Sequence, residues 1–318
     1  MMKNIIKQNI NDFRINVLYE RSLVLLDRYN RDLSKYDKSK EYILEQIDLI
    51  NSQNNQNNFQ NTKIAKLYNI LGDFEYIKGD YISSLNDYLS SYEFSQTVSN
   101  IYIQQLSNIN IAKIHLQKKE FDITSNLLEE IGNNLNNEEL STINLNDLLY
   151  RYNLLLSHFN YLKKDFKKSL NNINKSINIL NNLNNPKGFK GKYFLKKYYN
   201  LNINFSKIHT KIMLLKNQIM LNDNKKNYNQ TLTKINDELK LTKLNEYQAL
   251  LINYDIAELY KMLNNNIKFK EHIIIAYNVY NYILDNLNEE SSKTLFAKKE
   301  MNIELIQYYN SLNILIHN

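Results

Sequence analysis

Five histidines stand in this chain, His115, His158, His209, His272 and His317, and no two are three or four residues apart. Metal ligands on one helix face need that spacing, so the sequence offers no helical metal pair. Cysteine is absent, which removes thiolate nucleophiles, thiolate metal sites and disulfides together. The five glycines are too scattered to build a G-x-x-x-x-G-K-S/T loop or a G-x-G-x-x-G turn, the two common phosphate cradles. Neither H-E-x-x-H nor G-x-S-x-G occurs. The sequence therefore reads as a non-enzyme with no catalytic set, no metal and no cofactor. What remains is the chemistry of recognition. An Asn amide can pair both the N–H and the C=O of a peptide bond, and Tyr supplies contact area at low conformational cost.

The elements that must position these groups are helices. Five Gly and one Pro in 318 residues fall far below average usage of about 7% and about 5%. Tight hairpins and sheet turns need both. Such scarcity predicts long helices joined by short polar turns. The excess of Asn, Ile, Lys and Tyr matches AT-rich coding, so a single Asn or Lys carries little weight.

Lys and Arg outnumber Asp and Glu by 40 to 33, giving a net charge of +7. That is mild for this length. The densest basic stretch, Lys187 to Lys197, holds five Lys. It reads as solvated helix surface, and nucleic acid is not the expected partner. The start, Met1-Met2-Lys3-Asn4-Ile5-Ile6-Lys7-Gln8, lacks the apolar run of a signal peptide. No stretch approaches 18 uncharged apolar residues, so no membrane helix is predicted. The expected compartment is cytoplasmic.

One segment carries a repeat signature. It runs Ala65, Tyr68, Leu71-Gly72, Phe74, Tyr76, Gly79-Asp80-Tyr81, Ser84, Leu85, Tyr88, Ser91. This resembles the tetratricopeptide (TPR) repeat, a helix–turn–helix unit of about 34 residues. Gly72 lets helix A approach its partner, Gly79 ends helix A in a left-handed cap, and Tyr81, Ser84, Tyr88 and Ser91 form the inward stripe of helix B. The pattern recurs with decay. The later turns stand at Lys119-Glu120-Phe121 and at Lys164-Asp165-Phe166, followed by a degenerate fourth unit around 192–238 and a fifth holding Ile256-Ala257, Tyr260, Phe269 and Ala276. The resemblance implies an all-α fold, a right-handed α-α superhelix of degenerate TPR-like hairpins.

The expected organisation has three parts. Residues 1–60 form a helical N-terminal segment, with one helix around Phe13 to Tyr29, a second around Tyr42 to Ile50, and an Asn/Gln-rich linker from Asn51 to Asn61. Residues 61–290 form the solenoid, with a break near 181–191, where the one Pro lies. Residues 291–318 form a C-terminal capping helix.

In TPR folds, helix A presents one face to the concave groove. Carried onto this sequence, the resemblance places Lys66, Asn69, Asp73 and Tyr76 there from the first unit. It adds Lys113, flanked by Leu106, Ile109 and Leu116, from the second. Arg151, His158 and Tyr161 follow from the third, and Tyr254 and Glu258 from the fifth. His115 is expected in the core. The lengthened, degenerate repeats further resemble the Rap/PlcR-type receptors, bacterial regulators that bind signalling peptides in the concave groove. Residues 1–50 do not read as the helix-turn-helix that many of those carry. The resemblance implies a sensor of peptide or protein ligands without a DNA-reading head, in which an oligomer is compatible with the pattern. A constitutive protein–protein scaffold is the alternative, and a nucleic-acid-binding regulator a weaker one.

Overall fold

The computed structural model describes residues 36–52, 57–137, 140–183, 203–221 and 228–316. The helix expected around Phe13 to Tyr29, the cluster Lys187 to Lys197, the centre of the Asn-rich run, most of the break near 181–191 and His317 lie outside these residues.

Among the described residues the chain is helical throughout, without strands. The helices are α1 (Tyr36–Asn51), α2 (Asn58–Lys78), α3 (Tyr81–Thr97), α4 (Ile101–Gln117), α5 (Phe121–Asn137), α6 (Thr142–Leu162), α7 (Phe166–Leu183), α8 (Ile203–Met220), α9 (Tyr228–Lys240), α10 (Glu246–Met262), α11 (Asn266–Asn286), α12 (Glu290–Ala297) and α13 (Glu300–Ile316). Helices α2 to α11 form five successive antiparallel hairpins, each an A helix followed by a B helix. No helix among the described residues is long and apolar enough to cross a membrane.

One turn geometry recurs. After α2 the Gly79 N–H bonds the Tyr76 carbonyl and the Asp80 N–H bonds the Glu75 carbonyl, the paired bonds of a Schellman cap. Lys119 and Glu120 repeat these bonds onto Leu116 and His115, Lys164 and Asp165 onto Tyr161 and Asn160, and Asn264 and Asn265 onto Lys261 and Tyr260. The central residue is left-handed each time: Gly79 at φ 96°, Lys119 at 60°, Lys164 at 62° and Asn264 at 56°. Only the first is the glycine that this conformation favours. The next residue then caps the following helix where its side chain allows, as Asp80 does on Ser83 and Asn265 on Lys268.

Small side chains set the A–B approach. A Cβ on Gly72 would stand 2.6 Å from the Tyr88 ring, so any other residue there would force the helices apart. Tyr88 is fully buried and donates to Asp73 at 2.7 Å. Ser84 donates to the Gly72 carbonyl and Ser91 to the Ala65 carbonyl, each at 2.7 Å. In the third hairpin Ser157 and Ser169 bond each other's backbone carbonyls across the same crossing.

The Asn-rich run contributes structure at its end. Asn57 and Gln60 form a reciprocal capping box that starts α2, and Asn245 and Gln248 start α10 in the same way.

The two ends of the solenoid share one core. Ile43, Ile47 and Ile50 of α1 and Ile64, Leu67, Leu71 and Phe74 of α2 join Leu250, Tyr254, Ile273, Tyr280, Phe296 and Leu305 in a single buried cluster. A linear repeat array buries each unit only against its neighbours; here the first hairpin also packs on the last elements, so the superhelix closes. The C-terminal segment is two helices, broken at Lys298-Lys299. Helix α12 packs on α2, and α13 packs on α11.

Candidate functional site: the concave wall

The A helices α2, α4 and α6 pack successively on one another, as α8 does on α10, while the B helices make no comparable contacts. Elements that touch along a curved stack lie at its smaller radius, which puts the A helices toward the inner side where they pack on one another, at α2, α4 and α6 and at α8 and α10.

The residues assigned to that wall from the sequence divide into three groups. Some are spent on structure. Asn69 is buried, donates to Ser91 and Ser107, and accepts from Asn110 at 3.1 Å. It ties three helices together and faces no groove. Ile109 and Leu116 lie in the core beside α5 and α6. His115, expected in the core rather than on the wall, is half-buried and pairs with Glu120 at 2.5 Å.

Others are occupied by α13. Tyr254 is buried and donates to Glu304. Lys261 donates to the Tyr308 hydroxyl at 2.7 Å, and Tyr308 also bonds Glu258. The inward face of the fifth hairpin is thus covered by the chain's own C-terminal helix. Glu258 Oε1 stays buried without a hydrogen-bond partner among the described residues.

The third group keeps partial or full exposure to solvent. Lys113 of α4 lies 3.6 Å from the centre of the Tyr76 ring of α2. Burial lowers its pKa to about 8; Arg151 adds to the shift and Asp73 opposes it. Arg151 of α6 bonds Asp147 at 2.9 Å. Burial works against its charge, but Asp147, Tyr102 and Asp73 more than offset that and hold its pKa above the ordinary value. His158, two turns further along α6, is solvent-accessible, yet protein surrounds it closely enough to push its pKa down to about 4. Burial is the main cause, and the charges of Lys216, His209 and Lys113 add to it. Tyr161 packs edge-on against Phe166 and carries Lys216 over its ring at 5.4 Å. Lys66 is half-buried, and burial lowers its pKa.

Two wall residues escaped the sequence reading, His209 and Lys216 of α8. The His209 ring stacks on Phe205, with Asp255 of α10 at 4.0 Å. Lys216 feels Asp255, Tyr161, Glu258 and Glu304, which together outweigh burial and raise its pKa. Their seven-residue spacing repeats that of Arg151 and His158, the one sequence signal that could have located them.

The fold is similar to that of a known sensor, the apo form of the quorum sensor NprR from B. thuringiensis. The TM-score is 0.58 at 14% identity, with 95% of this chain and 77% of that chain covered. At this identity the likeness is one of fold. No family model matches the sequence, and no curated protein matches it.

The wall that remains is polarised. Lys113, His158, His209 and Lys216 stand on α4, α6 and α8, while Asp255, Glu258 and Glu304 stand on α10 and α13. Tyr76, Tyr161 and Tyr308 are interleaved. Among the described residues, no three His, Asp or Glu are grouped where they could hold a metal ion.

Proposed function

We propose that this chain is a non-catalytic sensor that binds an extended peptide segment against its concave wall and has a regulatory role in the cytoplasm. The observation that carries the reading is His158: accessible to solvent, free of hydrogen bonds among the described residues, and within reach of the charges of Lys113, His209 and Lys216 from two other A helices. A wall kept wet, charged and aromatic while enclosed by protein suits a peptide, whose backbone needs hydrogen bonds and whose side chains need apolar area. The likeness in fold to a quorum sensor supports a regulatory role. The shared core of the first and last elements supplies an element that a ligand can bias between closed and open forms.

Calorimetry against short peptides encoded by the producing organism tests this reading. A micromolar binder that fails to bind a Tyr161→Ala variant supports it, and silence across the full set rejects it.

A constitutive scaffold has one observation in its favour. Helix α11 presents Ile267, Ile274, Ile275 and Tyr282 to solvent, and their spacing puts them on one outer face. Stable stoichiometric protein partners, with small-angle scattering unchanged by peptide, would favour it.

A further inference from the structure

Helix α11 is apolar on both sides. Ile273, Ala276, Tyr280 and Ile283 face the core. On the opposite side Ile267 is 73% exposed, Ile274 43%, Ile275 44% and Tyr282 50%. At about 100° per residue these four fall within an arc of about 100°, together with the exposed Glu271 and Asn278. No other helix exposes more than two large apolar side chains among the described residues. A helix apolar all round is one that other protein covers, and an exposed apolar stripe marks an interaction surface.

The stripe is palindromic. Counted from the midpoint between Ile274 and Ile275, Ile267 and Tyr282 stand at equal distances on either side, and so do Glu271 and Asn278. A closed two-fold dimer needs a patch complementary to itself, in which residue i meets j and j meets i. Laid antiparallel on a second copy about that midpoint, α11 sets Ile274 against Ile275 and Ile267 against Tyr282. It sets the Glu271 carboxylate against the Asn278 amide, which can donate to it. The charges at the ends agree. Lys268 and Lys270 flank the stripe near its start and Asp285 stands at its end, all exposed, so each basic end comes beside the acidic end of the other copy. Lys268 already meets Glu271 at 2.6 Å, but an exposed pair of this kind is worth little and can yield. A parallel pairing would instead put Glu271 on Glu271 and the lysines on lysines. Tyr282 also lines an open hollow with Leu244, Ala249 and Val279, so apolar surface continues sideways where Ile267 of the partner subunit would land. An unrelated partner would require no such symmetry.

We propose that the outer face of α11 is a self-association surface, on which two copies of this chain pair antiparallel through Ile267, Ile274, Ile275 and Tyr282 about a two-fold axis at Ile274–Ile275. The stripe is about 22 Å long at 1.5 Å per residue. One helix face of that length falls below the about 800 Å² per partner of a standard interface, so the dimer is a weak one, with a Kd of about 10–100 µM. The surface lies on a B helix, away from the concave wall, and the inference does not depend on peptide binding.

Two measurements on the full chain test it. Sedimentation velocity from about 1 µM to about 300 µM, a range that brackets this Kd, is expected to show a reversible monomer–dimer equilibrium. Ile274→Asp/Ile275→Asp should weaken it at least tenfold, and Ile82→Asp, at an exposed position of α3, should leave it unchanged. Disulfide trapping then reads the register. The chain has no Cys, so one introduced Cys can bridge only to another copy. A mixture of Glu271→Cys and Asn278→Cys chains is expected to give a mixed disulfide dimer on mild oxidation. Either variant alone should bridge poorly, because the antiparallel register holds like positions about 10 Å apart along the axis, beyond the reach of a disulfide. Should the double Asp variant lose helix by circular dichroism, the trapping decides alone. A chain that stays monomeric throughout, a dimer indifferent to a folded double Asp variant, or single Cys variants that bridge to themselves as readily as the mixture does would overturn the proposal. Peptide binding at the wall is read separately by calorimetry, so failure of either reading leaves the other standing.

Discussion

Lys299 Nζ donates to the carbonyl oxygen of Tyr76 at 3.1 Å, across 223 residues of chain. It also donates to the Ile77 carbonyl at 3.1 Å and to the Tyr247 hydroxyl at 3.0 Å. One buried ammonium therefore joins the end of α2, the start of α10 and the α12–α13 turn. The same turn leans on Gly79, where a Cβ would stand 2.8 Å from the Leu295 carbonyl oxygen. The polar part of the closure is concentrated in these few contacts, beside the shared apolar core, because the Lys119–Glu300 pair is too exposed to add much.

Lys299→Met is expected to loosen the closure, with a loss of about 1–3 kcal/mol and a larger radius of gyration by small-angle scattering at unchanged helix content. Burial, with Lys113 nearby, lowers the Lys299 pKa to about 7. An unfolded Lys holds its proton to about 10.4. Between these values the unfolded chain binds more protons, so this group makes stability rise with pH. Urea unfolding between pH 7 and 9 should show a shallower rise in Lys299→Met than in the wild type. Equal slopes would remove Lys299 from the closure.

His272 is buried, pairs with Asn253 at 2.9 Å and stacks on Tyr260. Burial pushes its pKa down to about 4. It is neutral in the folded chain where the unfolded chain protonates, so its contribution is intact above about pH 6.5 and is lost as pH falls toward 4. The loss is about 3 kcal/mol. His272→Gln should flatten the fall in unfolding free energy between pH 6.5 and 4.5, and an unchanged fall would contradict the assignment.

Gly79→Ala should destabilise by about 1–3 kcal/mol, since φ is 96° and the added carbon meets backbone. The converse change, Lys164→Gly at φ 62°, should stabilise by up to about 1 kcal/mol, because it removes the left-handed penalty at the cost of a more flexible unfolded chain. Thermal melts of the pair check both signs. A stabilising Gly79→Ala would sink the cap argument.

Asn69→Ala should lower stability by about 1–3 kcal/mol by stranding the Ser91, Ser107 and Asn110 partners, yet leave peptide affinity within about twofold. Binding lost with stability unchanged would return Asn69 to the groove.

The sequence made the first three hairpins legible because each of their A–B turns keeps a polar cap and a following aromatic residue, even where Lys119 and Lys164 replace glycine. Gly72 and Gly79 stand where close approach and a left-handed cap require them. Lys113, Arg151, His158 and Tyr161 were placed by the TPR register within single hairpins, and the structure leaves them half-buried or exposed on α4 and α6. Asn69 was misplaced because an inward-facing helix position also lies against the next hairpin, and a buried amide serves there as well. His209 and Lys216 were missed because the sequence of the fourth unit carries no such turn motif to set its register. The α13 cover over Tyr254 and Glu258, and the Lys299 contacts, join residues some 50 to 220 apart; no local period encodes such pairings. The Asn-rich run hid the Asn57–Gln60 capping box, since Asn is abundant throughout.

The concave wall as a peptide site is tested most directly by selecting binders from a random heptapeptide library on the wild-type chain. The selected peptides are then titrated against Tyr161→Ala and against Ile82→Ala, an exposed residue of the outer helix α3. The account predicts micromolar peptides whose affinity falls at least tenfold in Tyr161→Ala and holds in Ile82→Ala. Peptides that bind both variants as they bind the wild type, or a selection that yields none, would contradict it.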